Sequence, residues 1–213
     1  MKFNNIQLYS EKKDAKRMLE SGADLILLDD NELSKYNQGQ LEILDIYNEN
    51  ATRIGASSRK AYIKLGFITR AVHIFVFNEK GELYLQKRSA NKDTYPGYYA
   101  PSVAGHVGLG ETSELSAYRE LEEEIGIRIP LTYFGTFKCF QPKNIVNQIY
   151  DFYIGFSKQS IQLDKNEAES GTFYPWKYVL NEMDKEKFVP ALKQEINRFR
   201  EDIQAELGKN HFT

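Results

Sequence analysis

The stretch from Gly105 to Ile127, GHVGLGETSELSAYRELEEEIGI, constrains the fold of this chain more than any other part of the sequence. It opens with a glycine-rich segment and continues into a run with the composition of a short helix. Ser113 is a suitable N-cap and Gly126 is a suitable helix stop. The pattern therefore predicts a loop that leads into a helix over residues 114–125.

Charged side chains give this predicted helix its chemical character. Glu120 and Glu124 share one helix face, Glu123 lies beside Glu120, and Arg119 and Glu123 form an i, i+4 pair. Carboxylates packed this closely suit a hard divalent cation such as Mg²⁺ or Mn²⁺, which also binds substrate phosphates. A solvated acidic helix face is the alternative interpretation. An apolar stripe on roughly the opposite side is predicted to hold the helix against a sheet, and it consists of Leu115, Tyr118, Leu121 and Ile125.

The same stretch matches the Nudix box, G-x5-E-x7-R-E-U-x-E-E-x-G-U with U aliphatic, so the chain resembles the Nudix superfamily. The matching residues are Gly105, Glu111, Arg119, Glu120, Leu121, Glu123, Glu124, Gly126 and Ile127. The resemblance implies an α+β fold, a Nudix-type α/β/α sandwich around a mixed β-sheet. We expect the Nudix domain to span residues 41–213, including a C-terminal helix, after a small N-terminal extension over residues 1–40.

The resemblance also implies an activity. Members of the family hydrolyse a diphosphate linked to another moiety, here a nucleoside diphosphate derivative or a similar organic diphosphate, with Mg²⁺ or Mn²⁺ as cofactor. Glu120 and Glu124 are the expected metal ligands, and Glu123 would join them directly or through water. A metal ion neutralises substrate charge and lowers the pKa of the attacking water.

Further roles follow from the same resemblance. Gly105 would let the loop approach the metal and offer its carbonyl, and Glu111 would be a second ligand or a brace of the loop. Arg119 would orient Glu120. The base would be Glu120 or a carboxylate outside the box, since family members often take one from a later loop. Glu167 and Glu169 lie in that place, with Glu167 at the recurrent spacing, although an exposed loop glutamate explains each equally well.

Other candidates carry weaker signals. His106 follows Gly105 and could contact substrate or metal, or make a local hydrogen bond in the loop. His73, in an apolar strand, is expected to be a core histidine, and His211 is expected to lie in a disordered end. Basic groups near the predicted cleft could bind phosphates or line a solvated strand edge: Arg70, Lys87, Arg88 and Lys92. Three tyrosines could line the pocket of the leaving group or anchor a loop: Tyr95, Tyr98 and Tyr99.

The stretch over residues 81–110 resembles the isopentenyl-diphosphate isomerase branch of the superfamily and its hydrolase relatives. That isomerase uses a cysteine in a Cys-Gly-His element, where this chain has Ala104, and a metal-binding histidine where this chain has Thr69. Cys139 lies too late to replace the missing cysteine and is expected to be a small core residue. These differences disfavour an isomerase. A non-catalytic binding module is the third hypothesis, and it would be expected to lose box carboxylates.

Composition restricts the partners. The net charge of −2 gives no support for a polyanion-binding surface, so nucleic acid is not an expected partner. No apolar run reaches the length of a membrane span, and the N-terminus lacks the apolar segment of a signal peptide. The single cysteine indicates a reducing compartment, so we expect a cytoplasmic protein. A homodimer is compatible with the family resemblance.

The remaining elements follow from periodicity and turn residues. In the extension we expect a helix over 11–21, a strand over 25–28, and a cap or turn at Asp29 and Asp30. The next stretch predicts a hairpin over 41–56 and a polar connection over 57–67. Later strands are expected over 70–78, 82–88, 101–104, 131–141, 147–157 and 172–176. Later helices are expected over 175–183 and 190–207.

Overall fold

The computed structural model describes residues 3–8, 17, 19–20, 22–92, 94–140 and 147–209. Its strands are β1 (Ile6–Leu8), β2 (Leu25–Leu27), β3 (Ile43–Tyr47), β4 (Arg53–Ser58), β5 (Ile68–Phe77), β6 (Glu82–Arg88), β7 (Tyr99–Ala100), β8 (Val103–His106), β9 (Leu131–Phe140), β10 (Asn147–Phe156) and β11 (Ala168–Pro175). Its helices are α1 (Asp30–Asn37), α2 (Arg59–Leu65), α3 (Ser113–Ile125), α4 (Trp176–Glu182) and α5 (Pro190–Leu207). His211 and most of the predicted helix over 11–21 lie outside the described residues.

The chain divides into two compact units. Unit 1 comprises Met1–Ala71, His106–Ser113 and Lys138–Tyr150, and unit 2 comprises Val72–Gly105, Glu114–Phe137 and Asp151–Thr213. None of the helices in the described parts of the chain is long and apolar enough to cross a membrane.

The strands of unit 1 form a mixed sheet. β2 pairs in parallel with both β1 and β4, whereas β4 pairs antiparallel with β3. Side chains alternate between the faces of a strand, and β2 buries both faces. Leu25 and Leu27 pack with Ala56, and Ile26 packs with Ala61 and Leu65. The predicted strand over 25–28 is therefore confirmed, one residue shorter.

The predicted hairpin over 41–56 is also confirmed, as β3 and β4. Its turn is closed by the Asn48 side chain, whose Oδ1 accepts from the amides of Asn50 and Thr52 at 2.9 and 3.0 Å. Asp29 is the N-cap of α1, as the acidic pair predicted, and its carboxylate accepts from the Glu32 amide at 2.9 Å. Helix α1 itself was absent from the predicted elements.

The prediction of a polar connection over 57–67 is wrong, because α2 occupies it. Ser58 caps this helix, accepting from the Ala61 amide at 3.0 Å, and Gly66 ends it in the left-handed conformation with φ 68°. Tyr62 and Leu65 are buried. Polar residues at exposed helix positions conceal this short apolar face in the sequence.

Unit 2 is organised around β6. This strand pairs antiparallel with β11 over its whole length, with β7 through Gln86 and Ala100, and with β5 through Phe77 and Leu83. The predicted strand over 172–176 is four residues longer at its start, because β11 begins at Ala168. β10 pairs with β5 and β9.

Helices cover both faces of this part of the sheet. The face that carries His73 and Phe77 packs against α5, where the His73 ring lies 3.1 Å from the Glu195 carboxylate. Leu83 pairs with Phe77 and shares its face, so Gln86, three residues later, points to the opposite face. There Gln86 bonds to Glu124 of α3. This arrangement confirms the predicted α+β fold with a mixed sheet between helices.

Candidate active site

Helix α3 spans Ser113–Ile125, and the next residue, Gly126, stops it with φ 68° and donates its amide to the Glu122 carbonyl at 3.1 Å. Its buried face contains Ala117, Leu121 and Ile125. The predicted apolar stripe is wrong at Leu115, which is 63% exposed. Leu115 precedes Ala117 by two residues, or about 200° around the helix, and so faces away from the buried side.

Glu120 lies directly over Gly105. A Cβ atom on Gly105 would stand 1.9 Å from the Glu120 carboxyl carbon, so any larger residue at this position would displace the carboxylate. The sequence predicted that Gly105 lets the loop approach a metal. The structure adds a different requirement for glycine, which is room for the Glu120 side chain.

Arg119 bonds to two of the box carboxylates. Its Nη1 donates to Glu120 at 2.7 Å and to Glu123 at 3.1 Å. Glu120 is nearly buried, whereas the Glu123 side chain is 60% exposed. This geometry fits the predicted orientation of Glu120 by Arg119, because a charged donor holds one carboxylate oxygen in a fixed direction.

Glu124 is the most deeply buried of the box carboxylates, with 6% of its surface exposed. Its Oε2 accepts from Gln86 Nε2 at 2.8 Å, and its carboxylate also accepts from the Ala104 amide. Burial, and then the nearby charge of Glu120, raise the pKa of Glu124 to about 8. A buried carboxylate beside a like charge is a site that a cation would stabilise.

Gln86 was absent from the predicted site. Its side chain is buried, and the same Nε2 that reaches Glu124 also donates to the Ser102 carbonyl at 2.7 Å. Ser102 Oγ in turn accepts from the Val76 amide at 2.8 Å and donates to the Tyr84 carbonyl at 2.6 Å. The available sequence signal for Gln86 was a polar residue at an apolar position of the strand LYLQ. The sheet register is needed to show that its side chain points toward Glu124.

Glu167 and Glu169 differ in their relation to Glu124. The charge of Glu167 contributes to the raised pKa of Glu124, so this glutamate lies within its electrostatic range. Glu167 also forms an ion pair with Lys92. Glu169 is exposed and lies 3.8 Å from Lys87. Of the two candidates for an additional carboxylate, the geometry favours Glu167.

The loop His106–Ser113, which follows Gly105 in the signature, belongs to unit 1. His106 Nδ1 lies 3.3 Å from Glu42 Oε1, and its Nε2 lies 3.2 Å from the Tyr62 hydroxyl. Glu111 Oε2 accepts from the Gly108 amide at 3.2 Å, which fits the predicted brace of the loop. His106 makes local bonds with both ring nitrogens, which fits the alternative given for this residue.

Two of the four basic candidates for substrate binding, Arg70 and Arg88, have partners within their own units. The Arg70 guanidinium lies over the Tyr47 ring, 5.4 Å from its centroid. Arg88 donates to the carbonyl and hydroxyl oxygens of Thr94 at 3.0 and 3.4 Å, across its own loop. Their contact with substrate stays a prediction.

The residues that bear on an isomerase activity lie on strands. Thr69 is buried on β5, and Ala104 lies on β8 and donates its amide to Glu124. Cys139 is buried on β9, and His73 is buried against Glu195, so the core locations predicted for both are confirmed.

Within the described ranges, no three His, Cys, Asp or Glu side chains are already grouped as a metal-binding set. Arg119 holds Glu120 and Glu123 instead. The donors nevertheless fit Mg²⁺ or Mn²⁺, because hard carboxylate oxygens lie together and burial disfavours the charged form of Glu124.

The NUDIX domain family matches residues 68–193, which is more than half of the chain. The chain belongs to the Nudix family.

Similar proteins include both a Nudix hydrolase and an isopentenyl-diphosphate isomerase, the two branches considered in the sequence analysis. Nudix hydrolase 3 of Arabidopsis thaliana is 32% identical over 184 residues, covering 79% of this chain and 22% of that protein. Isopentenyl-diphosphate Delta-isomerase 2 of Photorhabdus laumondii is 37% identical over 124 residues, covering 56% of this chain and 70% of that protein. The chain thus spans only about a fifth of the plant Nudix relative.

The fold is shared with solved Nudix-like structures. The crystal structure of DR0079 from Deinococcus radiodurans matches with a TM-score of 0.65 and 25% identity, covering 74% of this chain and 98% of that one. A MutT protein from Methanosarcina mazei matches with a TM-score of 0.55 and 24% identity, covering 67% of this chain and 96% of that one. These matches support the predicted Nudix-type fold.

Proposed function

We propose that this Nudix protein is a hydrolase, dependent on Mg²⁺ or Mn²⁺, that cleaves a diphosphate bond in a nucleoside diphosphate derivative or a similar organic diphosphate. The observation that carries the proposal is the pair of clustered carboxylates, Glu120 over Gly105 and Glu124 beneath Gln86. Such a cluster is electrostatically unfavourable by itself, since the charge of Glu120 raises the pKa of Glu124. A bound cation would offset this repulsion between the carboxylates.

Glu120 and Glu124 would hold the metal, with Glu123 joining directly or through water. The Gly105 carbonyl and Glu111 are further candidates. A divalent ion in this place supplies charge neutralisation for the diphosphate and a lower pKa for the attacking water. Ligands contributed by one short helix leave coordination positions open for substrate phosphates and water.

The protein residues then have separate tasks. Arg119 directs the Glu120 carboxylate, and Gln86 fixes the rotamer of Glu124. Glu120, or a carboxylate outside the box, accepts the proton of the attacking water. Glu167 is the outside candidate favoured by its electrostatic contact with Glu124. Arg88 and Arg70 are proposed to attract the substrate phosphates, and His106 is a further candidate for a substrate contact.

An isomerase of the isoprenoid type is the second candidate, since similar proteins bear that name. The Ala104 side chain has no exchangeable proton, and Thr69 is not a metal ligand that could replace a histidine. The His106 ring contacts Glu42 through Nδ1 and Tyr62 through Nε2. These residues favour hydrolysis. A non-catalytic module is disfavoured because all the box carboxylates are retained.

An assay of purified protein tests this function. Nucleoside diphosphate sugars, dinucleotides, nucleoside triphosphates, thiamine diphosphate and isopentenyl diphosphate would be incubated with Mg²⁺ or Mn²⁺, and products resolved by mass. We expect one class to be cleaved at its diphosphate, and cleavage to be lost in Glu124→Gln but kept in Glu122→Gln, an exposed glutamate on the same helix. Isomerisation of isopentenyl diphosphate, or cleavage that survives Glu124→Gln, would contradict the proposal.

The setting of the reaction is also proposed. A small-molecule diphosphate is the expected partner, without nucleic acid, and a homodimer stays a prediction. The cytoplasm is proposed as the compartment because the sequence contains a single cysteine. The division into an extension over 1–40 and a domain over 41–213 stays a proposal as well.

A further inference from the structure

The loop His106–Ser113, which carries the first half of the Nudix signature, is bonded to a segment outside the family match. That match begins at residue 68. The contacts come from the segment Glu42–Tyr62, which contains β3, β4 and the start of α2. All of these residues belong to unit 1.

The first contact holds the His106 ring at both ends. Glu42 Oε1 lies 3.3 Å from Nδ1, and the Tyr62 hydroxyl lies 3.2 Å from Nε2. The rings of Tyr62 and His106 also meet edge to face, with centroids 5.5 Å apart. Because each ring nitrogen has its own partner on opposite sides, the imidazole is held in one orientation.

The second contact holds the loop backbone. Gly108 forms a β-bridge with Leu44, and the Gly110 amide donates to Asp45 Oδ2 at 3.3 Å. The Val107 amide donates to the Arg70 carbonyl at 3.0 Å. Successive residues of the loop are therefore tied to neighbouring strands.

The groups that hold the loop are themselves fixed. Asp45 Oδ1 accepts from Arg53 Nε at 2.6 Å, across the hairpin. Glu42 Oε2 accepts from Arg59 Nη1 at 3.3 Å, and Tyr62 is buried on α2. Because the anchors are ordered by other contacts, they can order the loop at little further cost in conformational entropy.

We propose that the segment Glu42–Tyr62 positions the active-site loop, with Glu42, Asp45 and Tyr62 as positioning residues for the reaction. The inference rests on the proposed function. Its physical basis is the covalent link between His106 and the preceding Gly105. Gly105 lies directly against the Glu120 side chain, with no room for even a Cβ atom between them. A change in the backbone at Gly105 therefore moves a proposed metal ligand.

Hydrogen exchange measured by mass spectrometry on the full chain tests the loop directly, without any need for activity. Glu42→Ala and Asp45→Ala remove the bonds, whereas Glu42→Gln and Asp45→Asn keep an acceptor oxygen at each position. We expect the two alanine variants to exchange the amides of residues 106–111 about three to ten times faster, which corresponds to one lost hydrogen bond. The amide variants should restore most of the protection.

The same proteins give the functional readout. Mn²⁺ affinity and kcat should each fall about tenfold in the alanine variants and recover in the amide variants, with a smaller effect on KM. Glu49→Ala is the matched control, because Glu49 lies exposed in the turn of the same hairpin. It should leave exchange, affinity and kcat unchanged.

The two proposals fail in different ways. Wild-type protein that binds Mn²⁺ and hydrolyses a diphosphate, with variants that match it in Mn²⁺ affinity and kcat, would overturn the positioning role. Unchanged exchange over residues 106–111 would overturn it too, whether or not the protein is active. An inactive wild-type protein would contradict the proposed hydrolase, and the exchange measurement would still decide whether the segment orders the loop.

Discussion

Helix α3 and the loop His106–Ser113 carry consecutive halves of one signature, yet different parts of the chain hold them in place. In α3, Arg119 bonds to Glu120 and Glu123, one and four residues away. In the loop, Gly110 bonds to Asp45, 65 residues away. The spacing of a signature thus specifies geometry within a helix, whereas the geometry of its loop depends on distant residues as well.

The largest effect is expected at Gly105, which lies against the Glu120 side chain of α3. Gly105→Ala would place a Cβ atom 1.9 Å from the Glu120 carboxyl carbon. The carboxylate must move by about an ångström or more, so we expect kcat to fall about a hundredfold in the diphosphatase assay. Gly208→Ala, at the end of α5, is the control and should behave as wild type. Wild-type kcat in Gly105→Ala would show that Glu120 is not confined by this contact.

Gln86→Met tests whether α3 also needs support from the sheet. It removes the donor to Glu124 while keeping a side chain of similar length at a buried position. Loss of a hydrogen bond to a metal ligand lowers metal affinity by about 10- to 100-fold, which isothermal titration with Mn²⁺ would measure. Gln148→Met is the matched control, since Gln148 is a buried strand glutamine that accepts from Tyr150 instead. If the two variants bind Mn²⁺ with equal affinity, the Gln86 side chain of β6 does not support Glu124 of α3.

The pH dependence of stability provides a third test, on metal-free protein. Folding raises the pKa of Glu124 from 4.5 to about 8, so the folded state retains a proton that the unfolded chain releases. Below pH 4.5 both states are protonated, between pH 4.5 and 8 stability falls as pH rises, and above pH 8 the loss is complete. Its full size is at most roughly 5 kcal/mol.

Thermal unfolding from pH 5 to 8.5 would measure this loss. Burial also raises the pKa of Glu195, so the informative quantity is the difference between wild type and Glu124→Gln. We expect Tm to decline more steeply in the wild type, and Mg²⁺ to reduce that decline. Parallel curves for the two proteins would mean that Glu124 is ionised in the fold without a cation.

The smallest effect is expected on the outer side of α3. Leu115→Gln should change the free energy of unfolding by no more than about 0.5 kcal/mol, because Leu115 is exposed. Leu121→Ala, on the buried face, should cost about 2–5 kcal/mol. Denaturant unfolding separates the two values. A large loss of unfolding free energy in Leu115→Gln would show that Leu115 belongs to a buried apolar stripe, as predicted from the sequence.

The sequence predicted most of the strands, because alternation and turn residues are local signals. It also predicted α3 and the neighbouring positions of Glu120, Glu123 and Arg119, since these follow from the helix period. Helix α2 was missed because its apolar face is only two turns long. Gln86 and the anchors of the loop were missed for another reason: their partners are set by sheet register and by contacts between distant segments, which no local pattern contains.

A Mn²⁺ titration of the full chain, followed by electron paramagnetic resonance, tests most directly whether the α3 carboxylates bind a metal. We expect a tight site in wild-type protein that is lost in Glu124→Gln and retained in Glu122→Gln. We also expect Mg²⁺ to compete for this site. Wild-type protein that binds no Mn²⁺, or a Glu124→Gln variant that binds it as tightly as wild type, would contradict the claim that the α3 carboxylates form a metal site.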